Sequence, residues 1–187
     1  MVTAAEMLSV AAFLEGRFAQ AFPSFGSERM GAPVVSFCRI SDREIRLREP
    51  IMEPDALIIQ DPTLLHQADV FAGFKDEGYV LINTTKTLAE LDLDSLLESC
   101  SPDRICTVPA TEIGLKHIGR PIPNVPLLGG FAAVTGVIQL ESVIKAINGK
   151  FSGKVAEGNI AAATEAYQIM LAEKKASGLA TETTGRA

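Results

Sequence analysis

Gly78-Tyr79-Val80-Leu81-Ile82-Asn83 is a short apolar run without polar alternation, closed by the polar stretch Thr84-Thr85-Lys86. A strand that is apolar on both faces fits the interior of a parallel sheet, where neither face meets water. Working outward, Asp55-Ala56-Leu57-Ile58-Ile59-Gln60 upstream and Arg104 to Val108 downstream have the same character. Between and after these strands lie helix signals. Asp61-Pro62 opens a short helix carrying Leu64 and Leu65. Asp94 caps a helix through Leu96, Leu97 and Ser99. Pro109 heads a helix that runs to about Ile118. Strands alternating with helices predict an α/β domain with a mainly parallel sheet.

Further out, Thr3 to Glu15 reads as a helix with Met7, Leu8, Ala11 and Leu14 on one face, stopped by Gly16. Residues 17–22 form a short polar–apolar segment with no clear element. Val34 to Ile40 reads as a strand, Ser41-Asp42-Arg43 as a turn, and Glu44 to Arg48 as its return, an inserted β-hairpin. The C-terminal third is helical. Leu127 to Val137 is rich in small residues (Gly129, Gly130, Ala132, Ala133, Gly136) that allow close helix approach. Leu140, Val143, Ile144 and Ile147 form an amphipathic stripe. Phe151 to Lys154 is a connector. The last helix carries Ile160, Ala163, Tyr167 and Met170. The sequence predicts one domain over residues 1–172 and a disordered tail over 173–187, the Thr/Gly/Ala-rich stretch from about Lys175.

Composition narrows the function classes. The 187 residues are long enough for one substantial core. With aromatics at 6% and no Trp, the core must come from Val, Ile, Leu and Ala, which favours packed helices over a buried sheet. A net charge of −6 leaves no cationic excess for phosphates, so a nucleic-acid partner is not expected. Three cysteines (Cys38, Cys100, Cys106) without a Cys-x-x-Cys pair, and only His66 and His117, argue against a thiolate- or imidazole-held metal in this chain. An odd cysteine count without a secretory signal points to the cytoplasm. No apolar run approaches the roughly 20 residues of a membrane span.

The motif-like stretch is Pro23-Ser24-Phe25-Gly26-Ser27-Glu28-Arg29-Met30-Gly31-Ala32-Pro33. Gly26 and Gly31 have the outer spacing of a P-loop, but Ala32-Pro33 stand where Lys and Ser/Thr must reach phosphate and magnesium. The Rossmann Gly-x-Gly-x-x-Gly is absent too. Glycine-permitted turns leading to a strand are one reading. The adjacent Glu28 and Arg29 are then a solvated pair, or they hold a partner subunit or an anionic ligand, which Arg binds bidentately. Thr84, Thr85 and Lys86 stand where a parallel strand ends, the usual ligand side of an open sheet, or they cap the next element. His117, beside Lys116 late in a helix, suits a solvated or dipole-compensating role. Cys38 reads as a small buried apolar side chain. No nucleophile–base–acid set follows from spacing, so no catalytic residue is assigned.

Phe22 to Pro33, followed by Val-Val-Ser-Phe-Cys-Arg-Ile-Ser-Asp, resembles the Pro-Ser-aromatic-Gly-x-Glu-x-x-Gly-Gly/Ala element of the gamma family of 2-oxoacid:ferredoxin oxidoreductases. Glu53-Pro-Asp-Ala-Leu-Ile-Ile, Asn124-Val-Pro-Leu-Leu-Gly-Gly and Glu157-Gly-Asn-Ile-Ala-Ala-Ala follow in the family's order. The resemblance implies a Rossmann-like three-layer sandwich and a gamma subunit. The complex would convert pyruvate and CoA to acetyl-CoA, CO2 and reduced ferredoxin. It implies thiamine pyrophosphate, Mg and iron–sulfur clusters on alpha, beta and delta partners, none bound by this chain alone, with CoA as substrate. Ser24, Gly26, Glu28, Arg29 and Gly31 become candidates for an interface or CoA-facing loop. Family members usually begin with a strand and a Gly-Arg-Gly-Gly-Gln-Gly loop before the first helix. This sequence starts after that point, so the domain is expected to be shortened and weakly stable alone. A small subunit of indolepyruvate:ferredoxin oxidoreductase and a free-standing nucleotide-binding regulatory module are the alternative readings.

Overall fold

The computed structural model describes residues 2–24, 34–66, 70–93 and 100–176. Five strands and five α-helices are assigned among them. They are α1 (Val2–Leu14), β1 (Phe18–Ser24), β2 (Val35–Ser41), β3 (Ala56–Ile59), β4 (Tyr79–Asn83), β5 (Ile105–Val108), α2 (Ala110–Ile118), α3 (Asn124–Thr135), α4 (Leu140–Lys150) and α5 (Gly153–Ala176). The helix expected after Asp94, and nearly all of the expected tail, lie outside the described residues.

The parallel sheet has the order β3-β4-β5, so β4 is its centre, with Ala56 opposite Tyr79 and Val80 opposite Ile105. Strand alternation divides β4 between two cores. Leu81 belongs to the main core with α3 and α5, while Val80 and Ile82 join Leu65, Leu91, Leu93 and Cys100 on the other face. That is why the run is apolar throughout. Among the described residues the main face carries helices, and the second carries short 3-10 turns, Pro62–His66 and Leu88–Glu90. The Asp61-Pro62 signal thus gives a 3-10 turn, with Asp61 Oδ1 accepting from the backbone N–H and hydroxyl of Thr63 at 3.0 and 2.7 Å.

The small residues of α3 act as the sequence suggested. A Cβ at Gly129 would run into the backbone carbonyl of Ala163 on α5, so the two helices meet backbone to backbone. Val125 and Leu127 of α3 and Ala162, Ala163, Ala166 and Met170 of α5 are buried around that contact. Gly136 ends α3 at φ 64°, its N–H bonded to the Ala132 carbonyl at 3.0 Å.

The inserted hairpin exists, but its strands are not the expected pair. β2 pairs antiparallel with the upstream segment Phe18–Ser24, from Phe18 opposite Ser41 to Ser24 opposite Val35. Two features hid β1. Its alternate positions are Ala19, Ala21 and Pro23, which carry little strand signal, and Pro is tolerated because β1 has a partner on one side only. Residues 44–48 form no strand. Arg39 reaches across to the carbonyls of Leu47 and Pro50 at 3.3 and 3.5 Å, so a side chain takes the place of a ladder there. Ala19, Cys38 and Ile40 turn one face of the hairpin toward the main core, where α1 packs on it.

Candidate functional site

Ser24 is the last residue of β1, half-buried and opposite Val35, the first residue of β2. Gly26, Glu28, Arg29 and Gly31 belong to the segment 25–33 between these strands and lie outside the described residues. What the fold fixes is the base of that connection. Two pairs in from the strand ends, Phe22 and Phe37 face each other with ring centroids 5.4 Å apart and a 43° tilt. Such a cross-strand aromatic pair holds register and contributes about 0.5–1 kcal/mol. The sequence reading missed it because Phe22 had not been placed in a strand.

At the opposite end of the hairpin Arg17 binds Asp42 at 3.0 Å and donates to the Val137 carbonyl at 3.2 Å. Glu15 accepts from the Gln139 backbone N–H at 2.7 Å. The α1–β1 turn is thereby tied to the α3–α4 turn, and the hairpin stands on a fixed foot.

A second polar centre lies where the parallel strands end. Asn83, almost fully buried, donates through Nδ2 to the Gln60 carbonyl and to the Thr111 hydroxyl, both at 2.8 Å. Its Oδ1 accepts the Thr111 N–H at 3.0 Å. One side chain thus joins the end of β3 to the first turn of α2, satisfying a helix-terminal donor left over by the helix itself. Thr84 closes a local turn, its hydroxyl accepting the Lys86 backbone N–H at 3.1 Å. Thr87 donates its N–H and hydroxyl to Glu90 at 2.8 and 2.7 Å, which holds the Glu90 carboxyl below its usual range. The cap of the following turn is thus Thr87, one residue past the stretch Thr84 to Lys86.

His117 and Lys116 bind one carboxylate on α5. His117 Nε2 lies 2.5 Å and Lys116 Nζ 2.8 Å from Glu165 Oε2. Their hydrogen bonds, led by that of Lys116, lower the Glu165 pKa. The α2 end sits close because a Cβ at Gly158 would come within 2.6 Å of the His117 carbonyl. This is a clasp between helices.

The three thiols are held in their protonated form. Burial pushes Cys38 up to about 12 and Cys106 up to about 11, and raises Cys100, so all three are protonated near neutrality. Among the described residues no three His, Cys, Asp or Glu side chains converge on a metal-sized site. These residues do not fit an iron–sulfur cluster. A cleft of about 540 Å³ lies beside β5, lined in part by Arg104, Ile105, Cys106, Val134 and Met170, and no residue of the hairpin borders it. Arg104 stacks on the Tyr79 ring there, 5.0 Å from its centroid. No described helix is long and apolar enough to cross a membrane.

The comparisons with known proteins run nearly the length of the chain. The family profile "Pyruvate ferredoxin/flavodoxin oxidoreductase" matches residues 1–169. The "Pyruvate/ketoisovalerate oxidoreductases common subunit gamma" of Pyrococcus furiosus is 48% identical over 167 residues, 89% of each chain. The "Pyruvate synthase subunit PorC" of Methanocaldococcus jannaschii is 49% identical over 170 residues, 91% of this chain and 90% of the relative. The crystal structure of the pyruvate oxidoreductase subunit PORC from Thermotoga maritima superposes with a TM-score of 0.73 at 36% identity, covering 89% of this chain and 88% of that one. The hairpin, the parallel sheet and the helix pair joined at Gly129 are therefore those of a member of the pyruvate ferredoxin/flavodoxin oxidoreductase family, to which this chain belongs.

Proposed function

We propose that this chain is the gamma subunit of a multi-subunit 2-oxoacid:ferredoxin oxidoreductase that converts pyruvate and CoA to acetyl-CoA, CO2 and reduced ferredoxin. The observation that carries the reading is the near full-length match, at 48–49% identity, to subunits named for a pyruvate/ketoisovalerate oxidoreductase and a pyruvate synthase. In the overall reaction the carboxylate leaves as CO2, the acyl group passes to the CoA thiol, and the electron pair goes to ferredoxin. The chain's own chemistry agrees with a supporting part. Its thiols are held protonated, and its buried polar centre at Asn83 is consumed by structural bonds. Thiamine pyrophosphate, Mg and the iron–sulfur clusters then belong to the alpha, beta and delta partners, in the cytoplasm. The segment carrying Gly26, Glu28, Arg29 and Gly31, with Ser24 at its base, faces a partner subunit or CoA.

A second reading has its own support. The Pyrococcus furiosus relative is named as common to pyruvate and ketoisovalerate enzymes, so the same chain can serve a branched-chain 2-oxoacid complex. Both readings are tested by isolating the tagged chain with its co-purifying subunits and assaying CoA-dependent dye reduction with pyruvate, ketoisovalerate and indolepyruvate. Activity with pyruvate supports the first and ketoisovalerate activity the second. Turnover of indolepyruvate alone, or isolation of a lone inactive chain, overturns both. Arg29→Ala is expected to raise KM for CoA or to weaken assembly; if neither moves, the loop is only a turn.

A further inference from the structure

Helix α1 is apolar on more than the side it buries. Ala4, Met7, Leu8, Ala11 and Ala12 are covered by the core, yet Val10, Phe13 and Leu14, spaced i, i+3 and i+4, form a second stripe. Phe13 is 71% exposed, Val10 47% and Leu14 46%. A helix apolar on all sides belongs in an interior, and here one side is left uncovered by the described residues.

Two of the charges that border the stripe are paired within the chain, and the carboxylate of Glu15, next to Leu14, accepts the Gln139 backbone N–H at 2.7 Å. Glu6, one turn before Val10, pairs with Lys150 at 2.9 Å. Arg17, just past Leu14, pairs with Asp42 at 3.0 Å and holds the carbonyl of Val137, itself a 38% exposed apolar residue. With these charges engaged inside the chain, the stripe itself offers apolar side chains, so it fits an apolar surface better than a strongly charged one. Its size narrows the occupant further. The uncovered parts of Val10, Phe13 and Leu14 come to roughly 300 Å². A self-contained interface of standard size buries roughly 800 Å² on each partner, so this stripe alone is too small to hold two copies of the chain together. It suits the anchoring centre of a larger surface shared with a different subunit.

We infer that the Val10–Phe13–Leu14 face of α1 docks into an apolar recess on another subunit of the oxidoreductase, with Phe13 as the anchor. This rests on the reading of the chain as a gamma subunit, and the experiment separates the two. The tagged full chain is co-expressed with the other subunits of its oxidoreductase, and the recovered assembly is quantified by size exclusion and mass identification of each subunit. Phe13→Asp is expected to cut recovery of the partner subunits at least tenfold, while Phe13→Leu keeps most of it. The isolated Phe13→Asp chain should melt within a few degrees of wild type, because so much of the ring is exposed; if it melts far lower, Val10→Lys replaces it in the same assay. Wild-type recovery of partners with equal recovery by the charged variants overturns the docking face alone. Failure of the wild-type chain to recover any partner overturns the subunit reading with it. A dimer of the isolated chain that Phe13→Asp abolishes, with mixed assembly intact, assigns the face to self-association and also overturns the inference.

Discussion

The α3–α5 helix pair and the β1–β2 hairpin solve the same problem, bringing two segments together, in opposite ways. The helices meet through a glycine and alanines, with no side chain between their backbones at Gly129, and residues on both sides of the contact are fully buried. In the hairpin no residue is fully buried; every pair except the first, Phe18–Ser41, and the last, Ser24–Val35, joins two half-exposed residues. Its cohesion comes from a ladder, one aromatic pair and the Arg17 clamp at its foot. The helix pair stores stability and tolerates no change of volume. The hairpin stores little and holds the ends of the segment 25–33 in register.

The largest effect should therefore come from Gly129→Val. The added atoms have no free space against the Ala163 carbonyl, and backbone cannot rotate away as a side chain can. A loss of about 3 kcal/mol or more is expected, read as a fall in the denaturant midpoint. Gly149→Ala is the control. Gly149 lies in α4 with nothing within 4 Å of a new Cβ, so alanine should stabilise by up to about 1 kcal/mol. If both glycine variants behave alike, the close contact is not what holds the helix pair.

Asn83→Ala comes next, at about 2–3 kcal/mol, because it strands the part-buried Gln60 carbonyl and the Thr111 N–H together. Asn83→Asp separates the two halves of the role. Its oxygen can still accept from Thr111, but the donation to Gln60 is gone, so it should recover part of the loss. A variant as stable as wild type would mean that water substitutes at the strand end, and the sheet half would prove less tightly determined than the helices.

Legibility followed the same division. The buried strands were readable because β4 is apolar on both faces, and the helices because their stripes repeat at helical spacing. β1 was not, since Ala19, Ala21 and Pro23 give its core-facing side no hydrophobic signature, and a pairing is set by register with a distant strand. Asn83 was visible only as the polar residue ending a strand; its partners are 23 and 28 residues away in sequence. Gly26 to Gly31, outside the described residues, were singled out by family resemblance and not by chemistry, because nothing in their spacing selects a ligand.

Phe22→Ala probes the hairpin directly. Losing the ring pair should cost about 1 kcal/mol and leave helix content unchanged. A loss as large as that of Gly129→Val would break the comparison, since the hairpin would then be part of the stability store.

The smallest expected effect lies at the α2–α5 clasp, where pH gives the sign. Lys116 and His117 hold the Glu165 pKa below its ordinary value of 4.5. A depressed folded-state value means that the unfolded chain binds a proton more readily. The stabilisation is therefore fully present above about pH 4.5 and is lost as pH falls through the lower folded value. Because the pair meets water on one side, the contribution should be under about 1 kcal/mol. Glu165→Gln removes it, so wild type and variant should differ at neutral pH and converge on acidification. Should the two stay equally separated down to strong acid, the clasp acts through packing of the side chain against α2, and its charge is incidental.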